Sequence, residues 1–308
     1  MFVSYFDALR ASPGTLRSDL AYLKEKGVDG VRVFPNWWRY DGEYSQDRPF
    51  YFAQDTLMAP DGGLRRGPLS RFLDVLDVAG QNGLAVDVSF SAESVGSCPA
   101  DDCRGGPGYA DISSLDLAHL RVGLAACARV LTGPGSAHRH VLVDIQNESD
   151  KDTNGPIDRR PLSNDPGAVR ALADTIHAVD PRLLVTASLG GATPTSSAIR
   201  FASAAGLDVL AWHEPRETRW WDFTAARLAA LRGSGFPAYL QEPEPHGDAD
   251  WTRQGITANV VSAFNSGAAA WCLHTRAGFH LGDRSLQSQL APDEAAFLDG
   301  LKGVLPDR

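Results

Sequence analysis

Residues 141–150 read VLVDIQNESD. Val141, Leu142, Val143 and Ile145 form a short apolar run broken only by Asp144, the composition of a strand buried on both faces. The run stops abruptly at Gln146, Asn147 and Glu148. A carboxylate at the C-terminal end of a buried strand is held by rigid backbone, and beside an amide that can bind a hydroxyl it suits proton transfer. A second ending of this kind is AYLQE at 238–242, where Glu242 closes another apolar run. The fold then depends on which architecture turns two such ends toward each other.

Working outward, apolar strand-like runs alternate with helix-period stripes along the whole chain. Strands are expected at Phe2–Phe6, Gly30–Phe34, Leu84–Phe90, the opening stretch, Leu183–Ala187, Leu207–Trp212, Phe236–Gln241 and Ala268–Leu273. Between them, Leu16, Leu20 and Leu23 mark one helix face, and Leu117, Leu120, Leu124, Cys127 and Leu131 mark another at steps of three and four. Asp165 and Pro166 fit an N-cap followed by proline at N1. Further helices are expected near 69–82, 194–205, 218–231 and 250–265, and from Pro292. Eight strands each followed by a helix predict a single (β/α)8 TIM barrel, an α/β fold occupying residues 1–308 as one domain. An open doubly wound sheet would place a glycine-rich phosphate turn after its first strand, where this chain has DALRASPG. SLGGATP after strand five reads as a turn before a helix. The connections after strands two, three and four are long, which concentrates insertions on the face where barrels bind substrate.

The 308 residues suit such a barrel, and a hydrophobic fraction of 43% supplies its core. No apolar run approaches the roughly 20 residues that cross a bilayer. A formal charge of −9 with no Lys/Arg run argues against nucleic acid or an anionic membrane as partner. FVSYF after Met1 reads as a strand instead of a leader, so the expected location is cytoplasmic unless a leader has been removed. Cys98 and Cys103 bracket a Gly/Pro-rich loop and would form a small-loop disulfide in an oxidising compartment, or remain thiols otherwise. Cys127 and Cys272 read as core residues. Oligomeric state is not encoded in any recognisable pattern.

Glu148 and Glu242 end strands four and seven, which are not neighbours in a barrel, so their carboxylates can face each other across its opening. Retaining glycosidases use such a pair about 5 to 5.5 Å apart, one as acid/base and one as nucleophile. The plainer alternatives are a helix-terminal charge for Glu148 and an exposed loop acid for Glu242, with Glu244 two residues on. Trp37, Trp38, Tyr40, Tyr44, Phe50, Tyr51 and Phe52 crowd the loop after strand two. Aromatic faces bury the C–H faces of sugar rings, which makes Trp37 the first candidate for a sugar platform and Trp212, Trp220 and Trp221 weaker ones; packing that pins the long loop is the alternative. His274, His280 and Asp283 after strand eight, and His138 and His140 before strand four, match no zinc spacing and read as surface or structural histidines. Neither a metal nor a cofactor is expected. Gly-x-Ser-x-Gly is absent, which leaves no Ser/His/Asp order.

With these residues in view, the chain resembles the clan A glycoside hydrolases, the cellulase-like family five barrels in particular. Asn147-Glu148 matches the motif of the acid/base, and Glu242 in YLQEP matches that of the nucleophile. The resemblance implies that Arg32 in GVRV supports the nucleophile, that His213 is the strand-six histidine, that Trp271 in AAAWC stacks on sugar, and that Asn147 binds the hydroxyl next to the anomeric carbon. It implies a retaining hydrolase of β-glucan or β-mannan with a carbohydrate as its partner. Two positions depart from the pattern: Ser149 replaces a proline after the acid/base, and Pro215 replaces a tyrosine that donates to the nucleophile. They keep open a carbohydrate-binding barrel without catalysis, and a metal held among the histidines would make a metal-dependent barrel hydrolase or lyase the further alternative.

Overall fold

The structure is a computed structural model that describes residues 1–36, 56–59, 61–90, 117–133, 140–149, 165–191, 193–214, 221–247, 251–279, 281 and 284–305. Among these, eight strands pair in parallel: β1 (Phe2–Ser4), β2 (Gly30–Val33), β3 (Ala85–Ser89), β4 (Val141–Asp144), β5 (Leu184–Thr186), β6 (Leu210–His213), β7 (Ala238–Glu242) and β8 (Ala270–Leu273). Their order is β5-β4-β3-β2-β1-β8-β7-β6. The two ends of that order meet through a parallel bridge between Leu189 and Trp212. Asp208 N–H donates to Val185 O at 2.9 Å and His213 N–H to Leu189 O at 2.8 Å, so the sheet closes on itself.

The strands are joined by α1 (Pro13–Glu25), α2 (Arg66–Gln81), α3 (Leu117–Thr132), α4 (Pro166–His177), α5 (Thr195–Ala205), α6 (Trp221–Leu231), α7 (Arg253–Asn265) and, after β8, α8 (Pro292–Val304). Their starts follow from local chemistry. Ser12, Asp165 and Thr252 each cap a helix by accepting from backbone N–H groups of its first turn, with Pro13 and Pro166 pre-set at the helix start. Among the described residues no helix is long and apolar enough to cross a membrane.

Most strands are a little shorter than the apolar runs that predict them. The residues left outside, such as Phe34, Phe90 and Leu207, remain buried and extend the core beyond the hydrogen-bonded ladder. β6 and β7 instead run one residue further than expected, to His213 and Glu242. Both extensions belong to the site described below. The connections after β2, β3 and β4, expected to be long, fall largely outside the described residues.

Alternate strand residues face opposite sides. Val31, Val86, Val143, Leu240 and Leu273 point to the helices and share the main apolar cluster with Leu20, Phe72, Leu76, Val169 and Val260. Facing inward, Val209, Ala211, Tyr239 and Cys272 pack with Phe2, Leu142 and Ala270 in a separate cluster. The ring contact of Phe2 with Tyr239, at 5.4 Å between centroids, joins strands that are not neighbours and therefore crosses the interior. At Gly30 a Cβ would lie 2.5 Å from the Phe2 ring, so only glycine lets that ring fill the barrel. This apolar plug occupies the N-terminal half, and above it the inward-facing strand residues are mostly polar.

Candidate active site

The polar half is built on Arg32, which is 0% exposed and points inward from β2. Its Nε donates to Ser89 Oγ at 2.9 Å, its Nη2 to Asn147 Oδ1 at 2.6 Å and its Nη1 to Glu242 Oε1 at 2.5 Å. Asp87 and Asp144 lie at 3.4 and 3.5 Å. The guanidinium also lies over the rings of Phe34 and Phe6, 4.7 and 5.4 Å from their centroids. Gln241 Nε2 donates to Asp87 Oδ2 at 2.8 Å and Asp144 Oδ2 at 2.9 Å, tying β7 to β3 and β4 across the barrel. Burial pushes the Asp87 carboxyl up to about 6 against the pull of Arg32. A buried cation without these partners would be prohibitively costly, so this layer fixes the strand ends that hold it.

Two backbone irregularities aim the carboxylates. Trp212 pairs with Leu240 but His213 with Glu242, which leaves Gln241 as an extra residue in β7. Strict alternation would send either Gln241 or Glu242 to the helices. The bulge turns both inward, a common use of bulges beside active sites. At the other ending, Glu148 has φ of 51°, the left-handed region that costs a non-glycine residue about 1–3 kcal/mol. Neighbouring bonds impose it: Asn147 N–H donates to Phe90 O, Glu148 N–H to Ser188 Oγ and Ser149 N–H to Ser188 O. A proline at 149 could not make the last of these.

The two endings converge on His213. Its Nδ1 lies 3.0 Å from Glu148 Oε1 and 3.2 Å from Glu242 Oε2. One atom thus touches both carboxylates, which limits the gap between those two oxygens to the sum of the distances. Burial would push Glu242 up, but His213, His274 and Arg32 together hold its carboxyl well below the ordinary range, against a smaller opposing effect of Glu148. An ionised, desolvated carboxylate facing a second carboxyl is equipped for nucleophilic attack with acid assistance.

Of the residues singled out in the sequence, Arg32, Asn147, Glu148, His213 and Glu242 come together. Trp271 does not. It is 0% exposed, points from β8 to the helices, donates through Nε1 to Asn259 Oδ1 of α7 and packs against Phe297 of α8. A ring enclosed in that way cannot stack on a sugar, because the parity of β8 turns Cys272, not Trp271, into the barrel. Trp212 is likewise buried toward the helices. Trp37, Trp220, Pro215, His138, His280, Asp283, Cys98 and Cys103 lie outside the described residues.

His274 is not the surface residue that was one of its expected placements. It is 3% exposed, follows β8 and stands with Nε2 at 4.0 Å from Glu242 Oε2. Two signals could have found it: parity counted from an outward Trp271 brings 274 inward, and it is the first polar residue after an apolar strand, the position His213 holds on β6. Asp87, Ser89, Asp144, Ser188 and Gln241, which brace the site, also escaped notice.

No family model matches the chain, and neither does any curated protein. Solved structures do match. A glycoside hydrolase family 5 protein from Bacteroides vulgatus superposes with a TM-score of 0.64 at 12% identity over 96% of this chain, which spans 63% of that longer protein. A family 5 enzyme from Prevotella bryantii gives 0.61 at 12% identity, covering 99% of this chain and 95% of the other. An endo-1,4-β-D-mannanase from Thermotoga petrophila gives 0.57 at 11% identity over 89% and 87%. The fold is that of the cellulase-like glycoside hydrolases. At this level of identity the likeness to those clan A barrels is one of fold, and the chemistry rests on the residues just described.

Proposed function

We propose that the protein is a retaining glycoside hydrolase that cleaves β-linked glucan or mannan chains, with Glu148 as acid/base and Glu242 as nucleophile. The observation that carries this reading is the sharing of His213 Nδ1 by the two carboxylates, at 3.0 and 3.2 Å. It caps the gap between their facing oxygens at about 6 Å, a reach that accommodates the roughly 5–5.5 Å separation of retaining pairs.

In the first step Glu242 Oε2 forms a bond to the anomeric carbon while the bond to the leaving oxygen breaks and that oxygen takes the proton of Glu148. In the second, water attacks the same carbon, gives its proton to Glu148 and releases Glu242 as carboxylate. Arg32 keeps Oε1 ionised and oriented. Asn147 uses its Oδ1 to accept from Arg32, which aims its amide N–H groups at the hydroxyl beside the anomeric carbon. Trp37 remains the candidate platform for a neighbouring sugar.

The test is a screen of aryl β-glucosides and β-mannosides together with β-glucan and β-mannan, the mannanase among the structural neighbours making mannan the first polymer to try. Products are followed by NMR from the first turnover. The expected result is release of the β-anomer. Initial release of the α-anomer, or sugar binding without turnover on every substrate, would sink the assignment.

A further inference from the structure

His274 is not part of the acid/nucleophile pair, yet its surroundings constrain its protonation. Its Nδ1 lies 3.0 Å from the carbonyl oxygen of Pro243, which can only accept, so Nδ1 carries a hydrogen. The other nitrogen, Nε2, faces Glu242 Oε2 at 4.0 Å. A neutral ring would then turn its lone pair toward an anion. A second proton converts that repulsion into an ion pair.

Two further observations favour the charged ring. The His274 ring lies against Phe6 and Phe279, 5.9 and 5.2 Å between centroids, and Phe6 is also one of the rings under Arg32. Aromatic faces stabilise cations. The charges shown among the described residues point the same way: Arg32 meets the carboxyls of Asp87, Asp144 and Glu242, with Glu148 beyond. Among the described residues, the charged groups that the contacts bring to His274 include Glu242 at the end of β7, Arg32 of β2 near the shared Phe6 ring, and His213 of β6 across the Glu242 carboxylate.

We propose that His274 is a cationic positioning residue for the nucleophile: doubly protonated in the free protein, it holds Glu242 Oε2 from the β8 side while Arg32 holds Oε1 from β2. The inference rests on the reading of Glu242 as nucleophile and supplies, from another strand, the donor that the resemblance led one to expect where Pro215 stands. His213 is shared between Glu148 and Glu242, whereas His274 approaches Glu242 alone of that pair.

The test has two arms. In 15N-labelled protein the His274 ring is titrated by NMR in the wild type and in Glu242→Gln. The wild-type ring should keep its second proton to a pH at least about one unit higher than the variant's, the usual scale for a charge partner at this distance. Equal midpoints overturn the proposal whether or not the protein is a glycosidase. In the kinetic arm, His274→Phe and His274→Gln are compared with wild type on an aryl glycoside whose leaving group needs no acid, after thermal melts confirm folding. The acid limb of kcat/KM should move up by about 1 to 3 pH units in the phenylalanine variant and less in the glutamine variant. A uniform loss at every pH, with the limb unmoved in the glutamine variant, reveals a structural role and overturns the proposal. Absence of turnover in the wild type on every substrate overturns the glycosidase reading, while the NMR arm still decides the pairing.

Discussion

Glu242 and Glu214 end adjacent strands and are joined by a backbone bond from Glu214 N–H to Glu242 O at 3.1 Å, yet burial has opposite outcomes for them. Glu242 meets Arg32, His213 and His274 and is held ionised. Glu214 is 2% exposed and accepts only from Thr224 Oγ1 at 2.7 Å, with no partner for Oε2 among the described residues. Desolvation therefore pushes it up to about 6, with Thr224 and Arg227 resisting weakly. The contrast teaches that burial alone pushes a carboxyl toward its neutral form, and that one stays firmly ionised where several strands deliver cations to it.

The largest expected effect comes from removing the charge that the cations surround. Glu242→Gln should lower kcat/KM by at least about 10⁴-fold on every substrate. Glu148→Gln should cost about 10² to 10⁴-fold on substrates with poor leaving groups and far less on activated aryl glycosides, where acid help is unnecessary. Steady-state kinetics on both substrate types measures this. Equal losses in the two variants on activated substrates would break the division of roles.

Glu214 supplies a smaller effect, on stability. Its folded pKa lies above that of the unfolded chain, so the folded state binds the proton more tightly. The stabilisation this gives is complete below about pH 4.5 and is lost as pH rises through about 6. Glu214→Gln keeps an oxygen for Thr224 but cannot ionise. Urea unfolding should find it no more stable than wild type near pH 4.5 and more stable by up to about 2 kcal/mol near pH 7.5. A variant less stable at the higher pH would mean that the Glu214 carboxylate has a stabilising partner.

The smallest effect on turnover tests the chain of bonds behind Glu214. Thr224 accepts from Asn259 Nδ2 at 2.7 Å, and Asn259 in turn accepts from Trp271 Nε1 at 2.5 Å. Trp271→Phe should cost about 1 kcal/mol of stability through the unsatisfied amide oxygen and leave KM within about two-fold. A large rise in KM would return Trp271 to the sugar-binding surface.

These cases separate what the sequence makes legible from what it hides. Apolar runs and helix stripes encode the eightfold alternation directly, because each element must bury one face or both. Asn147-Glu148 and Glu242 stand out because polar residues end apolar runs. The orientation of Glu242 was hidden: period-two counting places it beside Gln241 on the opposite face, and only the bulge against Trp212 and His213 turns both inward. Trp271 misled for the related reason that a residue type was matched without its parity. His274 lies near His280 and Asp283 in sequence, whereas the carboxylate it faces, Glu242, is on another strand. Pairings across the barrel, such as Gln241 with Asp87, leave no local pattern at all.

The left-handed backbone at Glu148 has a consequence for engineering. Glycine would occupy φ of 51° without strain, so selection for heat resistance alone is pulled toward Glu148→Gly, a change that would relieve the fold and delete the proposed acid. Any campaign to toughen this scaffold must therefore select for turnover and endurance together, or it will find the more durable protein by discarding the reaction.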